Sequence, residues 1–78
     1  MDEASERLKR LVRSVAEDPR HIRTLILADR LMVALILNKP ELFPDGEFTI
    51  LQAVERLGDE LVRMAIEVEN ATARDMDD

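Results

Sequence analysis

The chain contains no cysteine, tryptophan or tyrosine, and these absences remove whole classes of protein. Without cysteine there is neither a disulfide framework nor a thiolate zinc site. Phe43 and Phe48 are its only aromatic residues, so no row of rings is available for single-stranded bases to stack on. Glycine is limited to Gly46 and Gly58, and proline to Pro19, Pro40 and Pro44. So few breakers, in a chain rich in Leu, Ala, Glu and Arg, favour helix over sheet. The apolar stretch from Ile22 to Leu37 is interrupted by Arg23, Asp29 and Arg30 and falls short of the ~20 residues a spanning helix needs. Residues Met1 to Glu6 lack the basic and apolar regions of a signal peptide. A soluble, cytoplasmic protein with no membrane partner is expected.

What the chain does have is an apolar run, Leu31-Met32-Val33-Ala34-Leu35-Ile36-Leu37. It covers about two helical turns and is therefore apolar on every side, unlike the single stripe of a surface helix. At 78 residues the chain forms one small domain, and a domain of that size buries only about 60–65% of its unfolded surface. Enclosing the run is expected to require a second subunit.

Three helices follow from the pattern. The first spans about Asp2 or Glu3 to Glu17, with Ala4, Leu8, Leu11 and Val15 at helical spacing, Val12 beside them, and early acids suited to the helix dipole. Asp18-Pro19 supplies a stop and a restart, Asp18 as an N-cap and Pro19 at the first helical position. The second helix is expected over Pro19 to Asn38, ending at a left-handed Asn38 and Pro40. Residues 39–48 form a proline-containing loop in which Asp45-Gly46 makes a turn. The third helix opens with the capping box Thr49 to Gln52, and Phe48 can staple onto Ala53. Ile50, Val54, Leu57, Leu61, Met64, Val68 and Ala71 then form a heptad seam, beside a row of Leu51, Gly58, Ala65 and Thr72. Gly58 costs about 0.5–1 kcal/mol in a helix interior, and close approach of another helix would explain it. Residues 1–72 are expected to form the domain and 73–78 a frayed acidic tail.

The fold class is therefore all-α: three helices forming an intertwined or bundled homodimer. Its interface is expected at Leu31, Met32, Val33, Leu35, Ile36 and Leu37 on the second helix, and at Val54, Leu57, Leu61, Met64 and Val68 on the third. Leu42, Phe43 and Phe48 read either as satellite core or, for Leu42 and Phe43, as an exposed knuckle for a partner.

Charge divides the chain. Its total is −6, yet residues 1–39 carry +2 and residues 40–78 carry −8. On the third helix Glu55, Asp59 and Glu60 make an acidic face suited to a heterologous partner, with Glu55 and Asp59 sharing a side at i,i+4. The basic end, Lys9, Arg10, Arg13, Arg20 and Arg23, is the candidate for phosphate contacts, although Glu3 can pair with Arg7 and Glu17 with Arg13. His21 lacks the partners of a metal set and reads as a surface or capping residue. No catalytic, metal or cofactor site is read from these residues.

Glu55-Arg56-Leu57-Gly58-Asp59-Glu60-Leu61 resembles the second acidic motif of the MazG-like all-α nucleotide pyrophosphohydrolases, oligomers that hold magnesium with carboxylates. Arg56 stands where that family has a second acid. The best match to its earlier acidic cluster, Asp29-Arg30-Leu31-Met32-Val33, keeps one acid of three. The resemblance thus implies at most a degenerate pyrophosphohydrolase, and no catalytic role is carried over. The residues favour a non-enzymatic interaction module, an adaptor, regulator or inhibitor of a larger protein, that is itself a homo-oligomer. The alternatives are a nucleic-acid-associated regulator using the basic end and an acidic DNA mimic.

Overall fold

In the computed structural model, which describes residues 2–44 and 48–76, Asp2 opens the first helix as its sequence position predicts. Its Oδ1 accepts the Ser5 backbone N–H at 2.9 Å, satisfying one of the orphan donors of helix α1 (Glu3–Glu17). Ser5, Leu8, Val12 and Val15 face inward, so the buried stripe is rotated away from the expected Ala4.

The second expected helix is two elements. Pro19–Thr24 is a 3₁₀ segment with Asp18 at its N-cap and Pro19 at its start. Leu25 and Ile26 are then extended, and helix α2 (Leu27–Leu37) begins on a new axis. The Thr24 hydroxyl donates to the His21 carbonyl at 2.7 Å, local chemistry that competes with helix continuation. This break turns Ile22 into the core before α2 starts. At the other end Asn38 is left-handed, with φ 55° and ψ 45°. The Lys39 N–H bonds the Ala34 carbonyl and the Asn38 N–H the Leu35 carbonyl, which closes α2 as sequence predicts.

A 3₁₀ turn, Pro40–Leu42, leads into the loop; the turn expected at Asp45-Gly46 lies outside the described residues. The capping box forms as expected. Gln52 N–H donates to Thr49 Oγ1 at 3.2 Å, and Thr49 N–H donates to Gln52 Oε1 at 2.9 Å. Helix α3 (Ile50–Met76) follows, but Gly58, at φ 80° and ψ 169°, kinks it into arms of residues 50–57 and 59–76. The uninterrupted heptad seam is therefore a correction. Ala53 and Leu57 point inward before the kink, Ala65 and Val68 after it. The small-residue row is likewise divided: Leu51 is exposed, and a Cβ at Gly58 would meet nothing within 4 Å. Glycine is required at 58 by its backbone angles, not by close approach of another helix. The helix also continues to Met76, past the expected end at 72, while residues 77 and 78 lie outside the described set.

Helices α1 and α3 both pack on α2, and the Pro40–Leu42 turn packs on it as well. Leu31, Met32, Val33 and Ala34 are thereby sealed within one chain, none more than 2% exposed. This overturns the expectation that Leu31, Met32 and Val33 need a partner subunit. Leu57 and Val68, also expected at an interface, belong to the same core. Leu35, Ile36, Leu37, Leu61 and Met64 are half-buried at its edge.

One charge is built into this interior. Asp29, in the first turn of α2, is 4% exposed, and Arg7 of α1 grips both its oxygens, at 2.5 and 3.4 Å. The i,i+4 partner expected for Arg7, Glu3, is thus replaced by a carboxylate from another helix. The pair ties α1 to α2.

Two outcomes follow. Gly58→Ala should destabilise the chain by about 1–3 kcal/mol in urea unfolding, because a Cβ is strained at that φ. Gly58→Asn should not rescue it, since ψ 169° lies outside the left-handed helical region that Asn tolerates. Arg7→Ala, which leaves Asp29 without its counterion, should cost about 1–3 kcal/mol by the same assay. Replacing both groups, Arg7→Met with Asp29→Leu, should recover most of that loss.

Candidate functional site

Once the core is closed, Ile26 stays exposed beside the start of α2, and an apolar strip is left open on α2 and α3. The outer half of the α2 run, Leu35 and Ile36, remains half-buried, and α3 lays Val54, Val62, Ala65 and Ile66 beside it. Together they line a groove of about 250 Å³ whose sole charged lining residue is Glu69. Leu35 also lines a smaller recess of about 120 Å³, reached through Ile50 and Phe43 and bordered by Lys39. Ile50, Val54 and Ile66 are 47%, 37% and 52% exposed, and Leu51, one turn before Val54, is 80% exposed. An aqueous surface gains nothing from such a strip, and contiguous exposed apolar area marks interaction sites.

The strip includes part of the expected interface, namely Leu35, Ile36 and Val54. Sequence reading missed Ile66, which falls off the heptad seam. The signal was available in the spacing: Ile66 stands four residues after Val62, on a flank that the kink brings beside α2. Leu42 and Phe43 prove to be core, 8% and 5% exposed, so the satellite-core reading holds and the exposed knuckle is corrected. Phe48 is half-buried against the same core.

Glu55, Asp59 and Glu60 are exposed on α3. Gly58 falls between Glu55 and the other two, so the i,i+4 face expected for Glu55 and Asp59 is broken at the kink. Among the described residues no group of three His, Cys, Asp or Glu side chains is placed to hold a metal ion. Asp29, the acid matched to the MazG-like cluster, is buried against Arg7 and is not offered to a ligand.

The basic end is largely occupied. Lys9 and Arg13 already interact within the chain, and Arg10 is exposed on α1. Arg20 docks on Asp18, with Nε to Oδ1 and Nη2 to Oδ2 both at 2.9 Å. Asp18 Oδ1 also accepts the Arg20 backbone N–H at 3.1 Å. The Arg20 guanidinium and then the backbone bond hold the Asp18 carboxyl below its usual range. Arg20 and Arg23 do come together on one cleft, where they are joined by Arg30 of α2, a residue sequence reading did not single out.

His21 completes the connection between α1 and the 3₁₀ segment. Its Nδ1 lies 2.6 Å from Ser14 Oγ and 3.2 Å from the Ser14 carbonyl, while Nε2 is 3.8 Å from Asp18 Oδ2. Ser, His and Asp are thus neighbours, but Asp18 is held by Arg20, and the three lie at the surface where α1 meets the 3₁₀ segment, with no enclosed cleft around them among the described residues. The arrangement serves as a C-terminal cap.

The Asp18 ion pair gives a pH prediction. Because its folded-state pKa is lowered, its stabilising contribution is complete above the ordinary aspartate value of 3.8 and is lost as pH falls through the lowered value. Thermal melting of the native chain and Asp18→Asn should therefore differ most above that value and converge below it. A constant difference across the acid range would remove the ion pair as its cause.

Among the described residues, no helix is long and apolar enough to cross a membrane. Comparison with protein-family models, with curated proteins and with solved structures finds no match to this chain.

Proposed function

We propose that this chain is a small non-enzymatic interaction module that works as a homodimer, paired through the apolar strip of α2 and α3. The observation that carries this reading is the exposed run of Ile50, Val54 and Ile66 flanking half-buried Leu35 and Ile36. A second copy is the occupant favoured by charge. Lys39 borders the recess at one end of the strip and Glu69 the groove at the other, with Leu35 common to both. A two-fold axis through the strip sets each copy's Lys39 against the other's Glu69, and an isologous contact makes that pairing twice. The small size of the chain adds to the argument, because a domain of this length gains much of its missing buried area by pairing. Glu55, Asp59 and Glu60 remain outward in such a dimer and supply an acidic surface for a larger protein partner. Occupation of Lys9, Arg13 and Arg20 within the chain disfavours an extended nucleic-acid track.

Sedimentation equilibrium tests the pairing. The native chain should be dimeric in the micromolar range, and Ile66→Glu should shift it to monomer, with far-ultraviolet circular dichroism unchanged and a melting temperature that no longer depends on concentration. Lys39→Glu should weaken the dimer at least about tenfold, a change of 1.4 kcal/mol. Adding Glu69→Lys should restore it. A native chain that stays monomeric to near-millimolar concentration would refute the dimer.

A further inference from the structure

We propose that the cleft between the Pro19–Thr24 segment, α2 and the Pro40–Leu42 turn binds a small phosphomonoester. It has a volume of about 630 Å³, within the usual range of small-molecule sites, and shares no lining residue with the apolar groove. Among the described residues, the charged side chains lining it are Arg20, Arg23, Arg30 and Glu41. In a chain of net charge −6, this hollow carries a positive balance.

The arginines are placed rather than merely near. Arg30 Nε donates to the Leu42 carbonyl at 2.9 Å, which restrains this guanidinium beside the cleft and leaves its Nη groups for other partners. Arg20 is held at the rim by Asp18 through Nε and Nη2. Neither Arg23 nor Arg30 forms an ion pair among the described residues, so both charges are left for a ligand. Arg30, restrained by its bond to Leu42, keeps its Nη groups for a phosphate oxygen, and Arg23 adds an uncommitted guanidinium beside it.

The rest of the cleft narrows the ligand. Buried Ile22 and Leu42, with Pro19 and Pro44, give stiff apolar walls against which a carbon skeleton can lie. Glu41 repels a polyanion and accepts hydrogen bonds, which favours a single phosphate on a body that carries hydroxyl donors. The cleft is also short. With Arg7, Lys9 and Arg13 engaged elsewhere, it does not extend into a track for a nucleic-acid backbone.

The experiment is titration of the ¹⁵N-labelled full-length chain with ribose 5-phosphate, with inorganic phosphate, with citrate as a carboxylate control and with a short single-stranded DNA. Saturable amide shifts confined to residues 20–24, 30 and 41–43 are expected with ribose 5-phosphate, together with weaker binding of inorganic phosphate. Arg23→Gln, an exposed position whose loss leaves the fold intact, should weaken binding about tenfold. Arg30→Lys keeps the charge but not the fork and should weaken it similarly, with unchanged far-ultraviolet circular dichroism as the check on folding. Ile66→Glu, which tests the dimer, should leave the affinity unaltered, so the two readings fail independently. Equal binding of citrate, tighter and steeply salt-dependent binding of DNA, or affinity unchanged in Arg23→Gln would each overturn the proposal. So would the absence of any shift at millimolar ribose 5-phosphate.

Discussion

The structure is organised around drying one segment. Leu31 to Ala34 is apolar around its whole circumference, and a helix of that kind is stable in water only when every side is covered. In this chain the covering comes from α1, from α3 and from the Pro40–Leu42 turn with Phe43 beneath it. The break after Thr24 belongs to the same solution. A straight helix from Pro19 to Asn38 would be one rod, whereas the extended Leu25-Ile26 step lets Ile22 and α2 enter the core from different directions. The kink at Gly58 does the equivalent for α3, re-aiming the arm of residues 59–76 so that Ala65 and Val68 come inward.

Arg7 and Asp29 show how orientation is added to burial. Apolar contacts are non-directional and would tolerate sliding of α1 along α2. A carboxylate buried at 4% exposure is costly in every alignment except the one that brings a guanidinium to it. The pair is therefore better understood as selecting a register than as adding net stability. Asp29 in the first turn of its own helix is further favoured by the helix dipole.

Covering the run leaves two surfaces with unspent chemistry, and they differ in kind. The strip at Val54 and Ile66 is apolar, with Glu69 lining its groove and Lys39 the adjoining recess. The cleft at Arg23 and Arg30 is concave and positive, shaped for something small and anionic. Both arise from the helix interruptions. The Pro19–Thr24 segment carries Arg20 and Arg23 to the cleft, and the Gly58 kink sets Val62 and Ile66 beside Leu35 and Ile36. The proposed self-association uses the first of these surfaces and the proposed phosphomonoester site the second.

Local chemistry was legible before any coordinates. Asp2, Asp18-Pro19, Asn38 and the Thr49–Gln52 box end or begin elements through hydrogen bonds between near neighbours, so residue type and spacing determine them. All-helical character follows from composition and periodicity in the same way, as do Leu8 and Val15 of the α1 core stripe, whereas its rotation toward Ser5 and Val12 does not. Enclosure of the apolar run was not legible, because burial depends on which elements meet and not on the pattern within one of them. For that reason Leu31, Met32 and Val33 read as an oligomer core and Phe43 as a candidate knuckle, whereas the fold makes all four interior. The Arg7–Asp29 pair joins positions 22 apart, and the i,i+4 rule pointed to the nearer acid instead. Sequence alone determined where helices start and stop and that they must pack. Tertiary structure decided which faces remain outside, because only the crossing of α1, α2 and the two arms of α3 assigns each side chain a neighbour or water.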